Sequence, residues 1–161
     1  MATFTGKNAL GKFSVYIKQV AKAVPITSNN TIKQLALTID QAVVLSTPVD
    51  TGRARSNWRV GIDNKPDGQI PPYAPGDHLG RGEANNAAAA IAQAKGEILR
   101  RQPEQTIYIS NNVDYIGVLN SPDTRSVQAP PFFVQRAIKA ALAELKLKKL
   151  IGSFQITTGG L

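Results

Sequence analysis

The sequence predicts an α+β domain, a small and mostly antiparallel sheet packed against two or three helices, with one long loop and extended termini. Three observations carry this. Ile32, Leu35, Ala36, Ile39, Ala42 and Val43 follow the i, i+3, i+4, i+7 spacing of a helix with one buried face. Trp58, Val60 and Ile62 alternate with Asn57, Arg59 and Gly61, the period of a half-buried strand. The order of signals along the chain is helix, strand, helix, hairpin, helix, which suits one α+β unit better than a βαβ series.

In chain order, residues 1–28 form a basic segment in which Phe13, Ile17, Val20, Ala21 and Val24 are spaced as in a helix, and Pro25 ends the pattern. Asn29 or Asn30 is placed to cap the next helix, and Pro48 stops it. Pro48 to Gly52 reads as a tight turn, in which Asp50 can accept bonds from backbone amides ahead of it and Gly52 supplies conformational freedom. The 58–62 strand follows. Residues 63–82 then form a long loop with Pro66, Pro71, Pro72 and Pro75. The alanine-rich stretch from Glu83 to Arg101 predicts a helix by propensity, with an apolar side so thin that packing on a neighbouring molecule is expected. Loop and helix together make residues 63–105 an insertion. Thr106–Ser110 and Val113–Leu119 read as two strands of a hairpin turning at Asn111-Asn112. Pro130-Pro131 opens a last helix whose buried face is Val134, Ile138, Ala141, Leu142 and Leu145. Residues 151–161 read as a flexible arm. No repeat or internal boundary interrupts residues 1–161, so one domain is expected.

Composition narrows the chemistry. Of 161 residues, 42% are hydrophobic and 19% charged, a globular balance. There is no cysteine, which rules out disulfides and thiolate metal sites. No stretch approaches the ~20 apolar residues of a membrane span, so no membrane partner is expected. The net charge is +8 and unevenly spread: five lysines precede the first acid, Asp40, and Lys146, Lys148 and Lys149 form a second basic cluster. Basic ends of this kind suit nucleic acid or an acidic protein surface.

Motifs of catalysis are present only in fragments. Gly6 to Lys12 spells G-x-x-x-x-G-K, but Phe13 follows where a phosphate-binding loop needs Ser or Thr, and five residues are too few for the preceding strand. Asp50-Thr51-Gly52 matches the triplet of aspartic proteases, whose mechanism needs a second such carboxylate sharing a proton; the chain has one, beside Arg53 and Arg55, which favour its ionised form. His78 is the lone histidine, with Asp77 adjoining and Glu83 five residues on, and one His with scattered acids is a poor metal site. The reading is therefore of a protein that is not an enzyme, with no metal and no cofactor. Tyr73, Tyr108 and Tyr115 among 19 Lys and Arg keep a basic nucleic-acid-binding protein as the alternative, although no signature of a known binding module accompanies them.

The most specific stretch is Thr47-Pro-Val-Asp-Thr-Gly-Arg-Ala-Arg-Ser-Asn-Trp58, entered from a helix and left by a strand. With Asn111 to Tyr115 and the proline-led Pro130 to Phe133, in this order and spacing, it resembles the family of small tail-component proteins typified by the gene 10 product of phage HK97, and related minor tail or tail-completion proteins. The resemblance spans residues 30–145. It departs at Ala54 and Asn57, and at Gly117 to Asn120, where the family has Glu-x-Gly.

The resemblance implies a structural virion protein of a tailed bacteriophage, made in the host cytoplasm and placed in the neck or tail. It would act in head–tail joining, tail completion or tail termination. It would assemble with itself in a ring, of six in the tail, against head–tail connector and tail tube proteins and close to DNA in the channel. In that setting Pro48, Asp50, Thr51 and Gly52 set the turn that aims Trp58 into the core. Arg53, Arg55 and Arg59 are placed to pair with acidic groups on a partner, or within the chain with Asp50 or Asp63. Tyr73, His78, Tyr115, Phe132 and Phe133 complete the candidate contacts.

Overall fold

The computed structural model describes residues 29–75, 82–123 and 130–147, together with the backbone of 2–3 and 13–19. The basic Lys148 and Lys149, the 151–161 arm and His78 lie outside the described residues. The elements are β1 (Ala2–Thr3), β2 (Phe13–Gln19), α1 (Asn29–Ser46), α2 (Arg53–Ser56), β3 (Trp58–Ile62), α3 (Glu83–Arg100), β4 (Ile107–Asn111), α4 (Ile116–Leu119) and α5 (Phe133–Leu147). The fold is α+β. The strands form one antiparallel sheet in the order β1-β2-β4-β3.

Register places Trp58 opposite Asn111, Val60 opposite Ile109 and Ile62 opposite Ile107. These residues therefore share the face turned to the helices, where Trp58, Ile107 and Ile109 have no exposure. α1 is the central helix, packed on α5 and α3, and α3 in turn packs on β3. The α5 stripe read from spacing (Val134, Ile138, Ala141, Leu142, Leu145) is buried throughout.

Three local readings change. Residues 13–19 are a strand, not part of a helix. Phe13 and Ile17 are four apart, a spacing that fits one face of either element, and Val15 and Tyr16 between them favour a pleated surface. Pairing with β4 over five residues decides for the strand. The expected hairpin is absent, because Val113–Leu119 turns into the short α4 instead. Asn111 causes the break: its Oδ1 accepts the Val113 amide at 3.1 Å while its Nδ2 donates to the Ala54 carbonyl at 2.7 Å. β4 pairs with β2 and β3, so its partners are distant in sequence.

The third change concerns α3, which is a core helix and not a face left for a neighbour. Ala87, Ala90, Ala94 and Ile98 are buried in the common cluster. A stripe of alanines looks weak in a hydropathy count, yet it lets helix axes approach closely, so little apolar bulk fills the gap. Its Gln93 also meets β3 edge-on, accepting the Val60 amide and donating to the Val60 carbonyl, both at 3.2 Å. One carboxamide thus occupies backbone groups of β3 that would otherwise invite another strand.

Residues 63–75 have no regular structure but are tied down by asparagines. Asn57 pairs with both backbone groups of Ile70 at 2.8 Å. Asn86 does the same for Ala74, and Asn112 donates to the carbonyls of Pro66 and Gly68. Asp63, at φ 61°, starts the loop by accepting from Thr106 N and Gln105 Nε2 at 2.8 Å each. The side chain of Asn29 joins α1 to the end of α3: its amide donates to the Arg101 carbonyl at 3.1 Å and its Oδ1 accepts from the Arg101 guanidinium.

Candidate functional site

The 47–58 segment is a corner between α1 and β3, and its polar groups hold backbone. Thr47 is 1% exposed. Its hydroxyl donates to the Val43 carbonyl at 2.6 Å and accepts the Trp58 indole N–H at 2.7 Å. Pro48 denies α1 its next turn, and the chain swings through Val49, Asp50 and Thr51 to Gly52. Gly52 has φ 81°, and a Cβ there would fall 2.1 Å from Asn86 Nδ2. Its carbonyl accepts the Ser56 amide at 3.0 Å, which closes the single turn of α2. Ser56 Oγ then donates to Asn86 Oδ1 at 2.9 Å.

The three arginines part company here. Arg55 is 5% exposed. It pairs with Glu83 at 2.7 Å and donates to the carbonyls of Leu45 and Thr47. Its guanidinium therefore clamps the end of α1 to the start of α3, and it is not a surface for a partner. Arg53 is exposed and donates to Gln69 Oε1 at 2.6 Å, and Gln69 donates on to Asp114 at 3.0 Å. Arg59 donates to the Asp67 carbonyl at 2.8 Å. None of these bonds goes to Asp50 or Asp63, the partners that sequence proximity offered.

The aromatic candidates also divide. Phe133 is 1% exposed and belongs to the core, so it is not a contact for a partner as expected from the sequence. It packs in the hydrophobic cluster at the first turn of α5, where Asn120 Oδ1 accepts the Val134 amide at 2.9 Å. Phe132 is partly buried, with φ 57°. Tyr73 and Tyr115 are exposed aromatics on the surface.

Asp50 is exposed and makes no hydrogen bond or ion pair with a described residue; the expected bonds to amides ahead of it are not formed. It stands instead at the rim of an open groove of about 450 Å³ between the corner and α4. Among the described residues that line the same groove, Asp50 is the one carboxylate. Pro48, Val49, Ala54 and Leu119 provide apolar lining; Asp50, Thr51, Arg53 and Tyr115 provide polar groups. Burial pushes the Tyr115 hydroxyl above its usual pKa; the charge of Arg53 opposes this, Asp50 adds to it, and a bond with the Ala54 backbone lowers it. Val118, next to the groove, is 67% exposed.

Such an arrangement can bind an extended, partly apolar segment through two opposite charges and a hydroxyl. It offers no paired acids and no nucleophile beside a base. Among the described residues no three His, Cys, Asp or Glu side chains gather where they could hold a metal, and no helix is long and apolar enough to cross a membrane. The residues that sequence reasoning missed are Thr47 as a relay, Glu83, Asn86 and Leu119. Asn86 lies in an alanine-rich helix with no periodic signal to mark it, and Glu83 meets Arg55 only after the long loop has folded back. No protein-family model matches the chain, and neither a curated protein nor a solved structure matches it.

Proposed function

We propose that this chain is a structural virion protein of a tailed bacteriophage, a neck or tail-completion subunit that assembles with itself in a ring. The resemblance of residues 47–58, 111–115 and 130–133 to tail-component proteins motivates the reading. The observation that carries it is the use of the 47–58 corner: its threonine, serine and buried arginine hold backbone, and what it presents outward is a groove. In this role binding energy comes from burying apolar surface between subunits, and charges on the rim set orientation.

The test is to look for the chain in purified phage particles of its source strain by mass spectrometry, and to image the purified protein by negative stain, alone and with its connector proteins. Rings with a central opening, and copies in the particles, are expected. A chain absent from particles and monomeric under every one of these conditions ends the proposal.

The net charge of +8 favours a second reading, a basic nucleic-acid-binding protein. It requires DNA affinity that falls steeply with salt. Measurable affinity with no ring would turn the assignment that way.

A further inference from the structure

We infer that the groove between the 48–54 corner and α4 receives residues 148–156 of a second copy of the chain. The inference rests on the reading above, in which copies associate, and names the contact through which they do so.

The groove's lining of Pro48, Val49, Ala54 and Leu119 is apolar and open, and the adjoining Val118 is 67% exposed. Asp50 on the rim has no ion pair with a described residue, whereas Arg53 is already engaged by Gln69. An occupant that fits therefore carries positive charge for Asp50 and apolar side chains for the floor. An acidic occupant would face the Asp50 carboxylate, whereas the Arg53 guanidinium already reaches Asp114 through Gln69, which accepts from Arg53 at 2.6 Å and donates to Asp114 at 3.0 Å.

The chain contains such a stretch. Lys148-Lys149 is followed by Leu150, Ile151, Phe154 and Ile156, and no acidic residue occurs from 148 to 161. Two cations ahead of four apolar side chains match a carboxylate that has no ion pair among the described residues and stands beside an apolar floor.

The length of α5 decides between a chain's own segment and a neighbour's. α5 begins beside the groove, because Asn120, next to Leu119, holds its first turn through Val134 N and Gln135. Its last residue, Leu147, lies fourteen positions after Phe133 (147 − 133 = 14), about 21 Å along the helix axis. The segment therefore starts at the end of α5 remote from its own groove. A site at one end of a subunit and its complement at the other is a heterologous, head-to-tail pair, and such pairs close into rings when the rotation permits.

The experiment uses the full chain. A photo-crosslinking amino acid replaces the exposed Val118, and isotopically heavy and light copies are mixed and equilibrated before illumination. Cross-links that join Val118→photoprobe of one isotope to residues 148–156 of the other are expected. In parallel, Asp50→Lys should weaken association at least about tenfold, because like charges then face each other. Lys148→Asp with Lys149→Asp should restore it in the same chain. Circular dichroism checks that each variant is folded, which is expected because Asp50 is exposed. Rings that form but cross-link only within one chain, or that are indifferent to Asp50→Lys, overturn this inference and leave the ring reading standing. A chain that never associates, alone or with its connector proteins, overturns this inference, and it overturns the ring reading as well when the chain is also absent from the phage particles.

Discussion

Thr47 and Trp58 are joined by a single hydroxyl that serves two masters: it gives its proton to the Val43 carbonyl at 2.6 Å and takes the indole N–H at 2.7 Å. The helix end and the first residue of β3 are thereby locked at a fixed angle. Because both residues are buried, no water is at hand to replace either bond.

The first prediction concerns that bond. Thr47→Val keeps the shape and leaves the indole N–H of Trp58 without an acceptor, so it should cost about 1–3 kcal/mol in urea unfolding. Thr47→Ser should recover most of this. Equal stability of Val and wild-type proteins would show that the hydroxyl is not the tie between helix and sheet.

At Gly52 two penalties coincide. Any side chain must adopt the left-handed region at φ 81°, and its Cβ must displace Asn86 Nδ2. Gly52→Ala should lose roughly 1–3 kcal/mol from the backbone alone, and Gly52→Val more. Combining Gly52→Ala with Asn86→Ala removes the clash but not the strain. The pair should therefore fall short of the sum of the single losses in thermal or urea melts. Strict additivity would mean that the two residues do not press on each other.

Arg55 and Glu83 test which side of the ion pair matters. The arginine side chain is 6% exposed and the glutamate 49%. Glu83→Gln removes a charge that water already screens and should cost less than about 1 kcal/mol. Arg55→Met strips hydrogen bonds from the Leu45 and Thr47 carbonyls as well, and should cost roughly 1–3 kcal/mol more. If Glu83→Gln proved the more damaging of the two, the clamp would be electrostatic rather than a backbone anchor.

Asp40 should give the protein an unusual pH profile. It is fully buried on α1, and neither carboxylate oxygen has a hydrogen-bond partner. Burial raises its pKa well above the ordinary 3.8. The folded state therefore binds this proton more tightly than the unfolded chain. Its contribution is full below 3.8 and is lost as pH rises through the folded-state value. Asp40→Asn cannot ionise, so at alkaline pH it should be more stable than wild type by about 1 kcal/mol or more. Unfolding free energies measured across pH check this, and parallel curves for the two proteins would refute it.

Much of the frame is written locally. The faces of α1 and α5 follow from spacing alone, since an amphipathic helix can bury only one stripe. Trp58 and Val60 alternate with Arg59 strongly enough to mark β3 and its inner face. Pro48 and Gly52 mark the corner because each restricts or frees the backbone by itself.

Other features depend on partners that no local window contains. Phe13 and Ile17 suit helix and strand equally until β4 offers its edge. Val113–Leu119 has strand-forming residues, but Asn111 takes the next amide and the chain coils. The alanines of α3 carry little hydropathy, and only close approach to α1 and β3 makes them core. Arg55 reads as a surface charge until Glu83, twenty-eight residues on, closes over it. The sequence by itself determined which segments have one apolar face and where the backbone must bend. The tertiary structure decided which faces meet, and hence which charges are buried and which stand open at the groove. Pattern is a property of neighbours in sequence, whereas pairing, close packing and desolvation depend on neighbours in space.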